Sequence, residues 1–239
     1  MDLRRSWDAE ADRWVAFARG TDADRFFWGF GLHVFLDLLP PPGRLTVDVG
    51  CGEGRLPRML RDHGHRVIGV DGSPRMLGHA ASAGGGPYVA ADGARLPLRD
   101  AVADLVVAYM SLHDVDDYRG ALREAARILA PGGRQCFAVV HPINSAGEMH
   151  RPAGAPYEIR GSYLEESRYR YDMDRDGIAL SFHSVHRPLE AYANGLESAG
   201  FLIESLREPR LSDEVVSARD KNELFTRVPA FLFVRARKR

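Results

Sequence analysis

The sequence predicts an α/β fold built on a doubly wound, mostly parallel sheet. Short β-branched runs alternate with helical patterns between residues 43 and 140, as in a parallel sheet covered on both faces. A glycine-rich turn joins the first of these strands to the helix that follows it. The second, fourth and fifth strands are unbroken apolar runs, which is typical of strands buried inside a sheet.

The first 42 residues predict a helical cap that precedes this sheet. Apolar residues recur at helical spacing over residues 3–18 and again over residues 29–39. The run Pro40-Pro41-Pro42-Gly43 then ends the second helix, because proline and glycine interrupt regular structure.

Strands and helices alternate in the core predicted over residues 43–141. Ser73 and Pro74 supply the N-cap and the first residue of one helix, and Pro131-Gly132-Gly133 ends another. Strands are predicted over residues 45–49, 66–70, 88–90, 105–108 and 134–140, and helices over residues 56–63, 75–82 and 118–129.

The pattern changes after His141. Residues 142–186 lack clear periodicity, and we interpret them as an inserted substrate lid, since long irregular segments of compact domains are often lids or binding loops. A single domain over residues 1–239 is expected, ending in a C-terminal part over residues 187–239. That part is predicted to hold a helix over 188–198, strands over 201–206 and 230–235, and a loop or short helix over 208–228.

Composition and charge exclude several classes of protein. The chain carries 32 Lys and Arg against 33 Asp and Glu, so it has no global electrostatic footprint for nucleic acid or anionic membrane. Two cysteines, Cys51 and Cys136, exclude a disulfide scaffold and are compatible with a reducing compartment. No signal peptide is visible, and no apolar stretch approaches the ~20 residues of a membrane span. We therefore expect a cytoplasmic protein without a nucleic-acid or membrane partner, of unknown oligomeric state.

The strongest functional signal is the segment Val47-Asp48-Val49-Gly50-Cys51-Gly52-Glu53-Gly54. Its glycines permit positive φ and let a ligand touch the backbone, and the start of the next helix offers free N–H groups. Asp71 ends the second strand, where an acid can accept hydrogen bonds from a ribose diol. Asp48 and Asp92 lie at neighbouring strand ends. These features predict a nucleoside site, and the alternative is a turn that serves packing alone.

The glycine spacing separates two kinds of nucleoside ligand. The dinucleotide fingerprint needs its third glycine three residues after the second, but Gly54 follows Gly52 by two and Arg55 holds the required position. No phosphate-loop motif occurs either. The spacing favours a ligand without a pyrophosphate over the NAD of an oxidoreductase, which remains an alternative.

These segments resemble a class I S-adenosylmethionine-dependent methyltransferase, and within it the small-molecule group typified by the quinone-biosynthesis (type 11) enzymes. The resemblance covers roughly residues 43–140 and rests on Asp48 to Gly54, Val70-Asp71, Ala91 to Leu98, Asp104 to Val107 and Leu129 to Gly133. It implies a Rossmann-like sheet of seven strands with the last one antiparallel. It also implies methyl transfer to a small organic acceptor, a hydroxyl of an aromatic or natural-product-like metabolite being one candidate. A binding protein or lyase-type enzyme that uses the cofactor without methyl transfer is the alternative.

The resemblance further implies roles for individual residues. Asp71 would bind the ribose hydroxyls, Asp92 and the Gly93 N–H would meet the adenine, and Asp48 would support the turn and the cofactor's ammonium. Arg19, just after the first helix, would meet the cofactor's carboxylate, because arginine matches carboxylates bidentately. The full cofactor-binding set is Asp48, Gly50, Cys51, Gly52, Asp71, Gly72, Ser73, Met76, Asp92, Gly93, Tyr109 and Arg19, and the product would be S-adenosylhomocysteine.

The acceptor is expected beyond the fourth and fifth strands. His113 and His141 follow those strands, and either would take a proton from an acceptor near neutral pH. The alternative is that His113 caps a helix and His141 only ends a strand. Aromatic residues of the cap and lid offer flat apolar walls, unless they are ordinary core. The substrate-binding candidates are Trp28, Tyr163 and His183, and no metal is expected because no H-E-x-x-H spacing occurs.

Overall fold

The computed structural model describes residues 2–20, 24, 27–147, 154–175, 177–211 and 224–239. Most of its helices and strands match the predicted ones to within a few residues. In chain order they are α1 (Leu3–Arg19), α2 (Leu32–Leu38), β1 (Thr46–Val49), α3 (Arg55–Asp62), β2 (Val67–Asp71), α4 (Pro74–Ser82), β3 (Tyr88–Ala90), β4 (Ala103–Tyr109), α5 (Tyr118–Ile128), β5 (Leu129–Val140), α6 (Pro142–Ser145), β6 (Ser167–Arg175), β7 (Ile178–His186), α7 (Leu189–Ser198), β8 (Phe201–Arg207) and β9 (Phe231–Lys238).

In the described part of the chain, seven strands form one sheet in the order β3-β2-β1-β4-β5-β9-β8. The first five strands pair in parallel. The last strand, β9, runs antiparallel to both of its neighbours, β5 and β8. The predicted α/β fold with its antiparallel last strand is confirmed.

The sheet is covered on both faces, as a doubly wound fold requires. On β4, Val106 packs in a core cluster with Leu122 of α5. Its neighbours Leu105 and Val107 point the other way, into a second cluster with Phe35 of α2.

The strand order reverses between β1 and β4, because the chain first builds outward to β3 and then returns to the other side of β1. Ligands of open α/β sheets bind at such a switch point, outside the carboxyl ends of the strands. The turns that follow β1, β2, β4 and β5 meet at this edge, so the topology gathers their side chains around one space.

Local signals set the helix starts. The Ser73 hydroxyl accepts the Met76 N–H at 3.1 Å, with Pro74 as the first residue of α4, as predicted. Asp117 caps α5 by accepting the Gly120 N–H at 2.8 Å. The second predicted helix departs from expectation, since a π-helical turn over Phe27–Gly31 leads into α2. Leu129, predicted to end a helix, begins β5 instead.

The prediction of an irregular segment over residues 142–186 is wrong for much of its length. β6 and β7 form an antiparallel hairpin whose register runs from Ser167 opposite His186 to Arg175 opposite Ile178. Phe17 of α1 and Leu180 of β7 pack together beneath it. The hairpin therefore packs against the N-terminal helix α1. None of the helices in the described segments is long and apolar enough to cross a membrane.

Candidate functional site

A cavity of about 820 Å³ lies at the carboxyl ends of the parallel strands, within the size range of small-molecule sites. Its walls come from the turns after β1 to β5, from α1 and from the β6–β7 hairpin. All the predicted cofactor-binding residues except Arg19 line it: Asp48, Gly50, Cys51, Gly52, Asp71, Gly72, Ser73, Met76, Asp92, Gly93 and Tyr109.

The glycine turn needs its glycines for two different reasons. Gly50 has φ +77°, and a Cβ there would lie 2.3 Å from the Cβ of Ser111. The second glycine of the turn, Gly52, has φ +54° and nothing within 4 Å of where a Cβ would be. The chain therefore packs closely against Ser111, in the turn after β4, at Gly50. At Gly52 the main chain has open space beside it, where a ligand can approach.

The amide groups of Gly50, Cys51 and Gly52 are engaged within the protein. The N–H groups of Gly50 and Cys51 donate to the Val70 carbonyl at 2.8 and 3.0 Å. The Gly52 N–H donates to Asp71 Oδ2 at 2.8 Å, and Asp71 Oδ1 accepts the Ser73 N–H at 2.8 Å. The turn is pinned to the end of β2, so Asp71 is held in place while its carboxylate keeps lone pairs for further donors.

Asp48 is the most unusual charged group of the site. Its side chain is 1% exposed, and neither carboxylate oxygen has a hydrogen-bond partner among the described residues. Burial, and then the nearby negative charge of Asp71, raise the pKa of Asp48 to about 8. A buried carboxylate without a partner is costly, and a cation arriving from the cavity would relieve that cost.

Other predicted cofactor residues combine packing with cavity lining. Met76 is buried against Ala11 of α1. The Ser73 hydroxyl is occupied, since it caps α4 and donates to Asp8 Oδ1 at 2.6 Å. Burial raises the pKa of the Cys51 thiol, so this cysteine is packed and not reactive. Asp92 accepts the Ala94 N–H at 2.9 Å at the end of β3.

The structure places Arg19 away from the cavity. Its guanidinium donates to the buried carboxylate of Glu53 at 2.9 and 3.1 Å and to the His79 carbonyl at 3.2 Å. Arg58 donates to the same carboxylate, with its Nη2 2.9 Å from Glu53 Oε2. Arg19 therefore braces the glycine turn from behind, and it is absent from the residues that line the cavity.

The three substrate-binding candidates also lie outside the cavity lining. Trp28 is 45% exposed and packs edge-on against Phe27, and Phe26, another aromatic of that segment, falls outside the described residues. The Tyr163 hydroxyl accepts the Leu189 N–H, which ties the segment before β6 to the start of α7. His183 pairs with Arg170 across the hairpin.

The two candidate catalytic histidines have different surroundings. Both ring nitrogens of His141 are engaged, Nδ1 by the Ile143 N–H at 3.1 Å and Nε2 by Glu208 at 2.8 Å, and the ring does not line the cavity. His141 is thus an N-cap of α6. His113, in a 3₁₀ turn after β4, lines the cavity, and its buried Nδ1 has no partner among the described residues. Burial lowers the pKa of His113, which keeps the ring neutral and able to accept a proton.

The sequence analysis missed several cavity residues. Asn144 of α6 donates from Nδ2 to the Ala230 carbonyl at 3.3 Å, while its buried Oδ1 has no partner in the described structure. The available signal was His141-Pro142, which starts a helix directly after β5 and so brings Asn144 to the ligand edge of the sheet. Other lining residues not assigned beforehand to the site include Arg4, Arg55, Ser111 and Ser184. Among the described residues no three His, Cys, Asp or Glu side chains are grouped as a metal site requires, and the expectation of no metal stays a prediction.

Known proteins similar to this chain agree with the geometry. Residues 47–137 match the family described as a methyltransferase domain. A ubiquinone/menaquinone biosynthesis C-methyltransferase of Caulobacter sp. (strain K31) is 31% identical over 186 residues, which are 69% of this chain and 70% of the relative. A malonyl-[acyl-carrier protein] O-methyltransferase of Serratia marcescens is 31% identical over 50% of this chain and 46% of the relative. The crystal structure of an S-adenosylmethionine-dependent methyltransferase from Mesorhizobium loti is 32% identical, with TM-score 0.71, over 86% of this chain and 96% of that one.

Proposed function

Since this chain belongs to the class I S-adenosylmethionine-dependent methyltransferases and not to the NAD-dependent oxidoreductases, we propose that it methylates a small organic acceptor held beyond β4 and β5. S-adenosylmethionine is the cofactor. One observation supports the binding of this cofactor in the cavity. Asp48 has a buried carboxyl group without a partner among the described residues, and it lines the same cavity as the open main chain of Gly52. The cofactor brings two positive charges to this cavity.

The binding roles follow from which groups remain available. Asp71 is fixed by the turn and would accept the ribose hydroxyls with its remaining lone pairs. Asp92 and Gly93 line the cavity at the end of β3 and would hold the adenine. Asp48 would face the ammonium end of the cofactor. Arg19 has no part in this proposal, because its guanidinium is bound to Glu53.

S-adenosylmethionine supplies an electrophilic methyl group, so the protein's own residues need to align the acceptor, exclude water and accept a proton. Alignment supplies about 7–11 kcal/mol of the barrier reduction, whereas a general base adds about 10²–10⁴-fold, or roughly 3–5 kcal/mol. Positioning therefore outweighs the base. His113 would be the proton acceptor, because it lines the cavity and its buried Nδ1 has no partner among the described residues.

The acceptor's body is proposed to be aromatic or otherwise apolar. Trp7 and Trp14 pack edge to face with centroids 5.6 Å apart, and the Phe182 centroid lies 5.6 Å from that of Trp7. All three line the cavity, so the β6–β7 hairpin, which lies within the predicted lid, would cover the substrate together with α1. A hydroxyl is one candidate acceptor group, and no residue of the sequence decides between oxygen, nitrogen and carbon as the methylated atom. A cytoplasmic location and the absence of nucleic-acid and membrane partners stay predictions that the near-neutral charge supports.

Calorimetry and label transfer test this function. The Asp71→Ala protein is expected to bind S-adenosylmethionine at least tenfold more weakly, because charge-assisted hydrogen bonds contribute about 1.5–3 kcal/mol each. The control is Asp62→Ala, an exposed carboxylate at the end of α3, which should change nothing. Incubation with radiolabelled cofactor and a panel of phenols, acids and amines then reports methyl transfer. Tight cofactor binding without label transfer to any acceptor would favour a protein that uses the cofactor differently.

A further inference from the structure

The cavity wall formed after β4 and β5 contains two polar side chains, His113 and Asn144, that each carry a buried atom without a hydrogen-bond partner among the described residues. These atoms are His113 Nδ1 and Asn144 Oδ1. The amide of Asn144 is oriented by its own Nδ2, which donates to Ala230. We assign the hydrogen of the neutral His113 ring to Nε2, the nitrogen 3.7 Å from the Asp114 carboxylate, and this tautomer makes Nδ1 an acceptor. A ligand at this wall must therefore bring donors.

Asp114 adds a buried negative charge to the same wall. Its Oδ1 accepts a short hydrogen bond from the Ser184 hydroxyl, and Oδ2 lies 3.7 Å from His113 Nε2. Within the described residues, its ion pairing is confined to His113. Burial raises the pKa of Asp114 although His113, Ser184, the Trp7 indole and Arg187 each lower it. The Arg187 guanidinium is held by Glu166 and by main-chain carbonyls of the His113 turn.

The cations that line the cavity are already paired with carboxylates. Arg55 Nη1 lies 2.7 Å from Asp24 Oδ2, and its guanidinium stacks 3.6 Å above the Phe27 ring. Arg4 lies 3.8 Å from Asp2. A carboxylate or phosphate on the acceptor thus finds no unpaired Lys or Arg among the described lining residues, whereas a cation finds Asp114. Trp7, Trp14 and Phe182 line the same cavity, and aromatic faces attract cations when water is excluded.

We infer that the acceptor is a small organic amine, which enters as an ammonium ion on an apolar or aromatic body and is recognised by Asp114, His113 and Asn144. This inference rests on the proposed methyl transfer. An ammonium brings three donors for three acceptor groups, while a hydroxyl brings one and leaves buried acceptors unpaired. The charge of Asp114 separates the amine from an alcohol of equal shape and, more strongly, from an acid.

The reaction balances with the groups present. The ammonium gives one proton to His113 Nδ1, which restores the lone pair on nitrogen. That lone pair forms the new nitrogen–carbon bond as the carbon–sulfur bond of the sulfonium breaks, leaving S-adenosylhomocysteine. The methylated nitrogen carries the positive charge that sulfur gave up, and His113 releases its proton to solvent.

The test measures binding, so it does not depend on turnover. The protein is saturated with S-adenosylhomocysteine, confirmed by calorimetry, and titrated near neutral pH with benzylamine, benzyl alcohol and benzoate. Benzylamine is expected to bind at least tenfold more tightly than the alcohol, and benzoate more weakly than both. In Asp114→Asn the preference for the amine should fall below threefold. Asp172→Asn, which removes an exposed carboxylate that also lines the cavity, should keep it.

The outcomes separate the two proposals. Failure to bind S-adenosylhomocysteine refutes the proposed function before any probe is added. With that ligand bound, equal or tighter binding of the alcohol or the acid overturns the amine inference, and so does the absence of binding by all three probes. If Asp114→Asn does not fold, the ranking of the three probes on the unaltered chain decides.

Discussion

Replacing Asp48 by Asn should change how the stability of the protein depends on pH. The pKa of Asp48 is raised from 3.8 to about 8 in the folded chain, first by burial. Between these two values the folded protein holds a proton that the unfolded chain has lost, so the free energy of unfolding falls as pH rises. Each pH unit in that window is worth 1.36 kcal/mol. From pH 4 to pH 7 the unaltered protein should therefore lose about 4 kcal/mol more than Asp48→Asn.

Urea denaturation of both proteins, in the absence of cofactor and at steps between pH 4 and pH 8, measures this difference. The cost of burying the Asn amide changes the variant's free energy of unfolding by the same amount at every pH, so it does not alter the slope of stability against pH. Other groups with raised pKa values, such as Asp114, act in both proteins and largely cancel in the difference. A difference between the two proteins that stays constant within about 1 kcal/mol over this range would refute the idea that Asp48 is buried without a partner.

Three further substitutions test other parts of the site. Gly50→Ala should destabilise the fold by about 1–3 kcal/mol and weaken cofactor binding, because its Cβ would lie 2.3 Å from that of Ser111. Thermal denaturation and calorimetry measure the two effects. Gly84→Ala is the control for backbone strain alone, because Gly84 has φ +78° and nothing within 4 Å of where a Cβ would be. His113→Gln should lower kcat by about 10²–10⁴-fold with unchanged cofactor affinity, and an equal loss of kcat in His141→Gln, with its fold intact, would deny His113 a special role. Arg19→Ala should leave the main cofactor contacts in place but lower the melting temperature, and a stability equal to that of the unaltered protein would contradict its bracing of Glu53.

The sequence predicted which strand-end residues share one cavity, because local chemistry determines where these turns lie. A strand that ends in glycines and a serine followed by proline can each adopt few backbone conformations. The parallel topology then brings the strand ends together, so Asp48, Asp71 and Asp92 share one cavity. Arg19 is absent from the residues that line this cavity because its guanidinium is bound to a nearer carboxylate, that of Glu53 on the turn itself.

The acceptor half was predicted less well because it depends on the register of a hairpin. In β6, tyrosines alternate with charged residues, which is the period of a strand with one apolar face. On β7 alternate side chains line the cavity, although in β6 the consecutive residues 171–174 all do so. Phe182 and Ser184 line the cavity, whereas His183 between them does not. The aromatic composition of residues 142–186 indicated a binding wall, but only the pairing of the two strands selects the residues that form it.

The cavity takes its lining from both extremes of the sequence, from Trp7 of α1 to Phe231 of β9. During synthesis, α1 emerges from the ribosome long before β7 or β9 exists, so its tryptophans have no hairpin to cover them. The nascent chain would then expose an apolar aromatic surface, prone to non-specific association, before the binding cavity is complete. Ligand capture should thus be among the last events of biogenesis, and chaperone dependence should be greatest for chains stalled before β7.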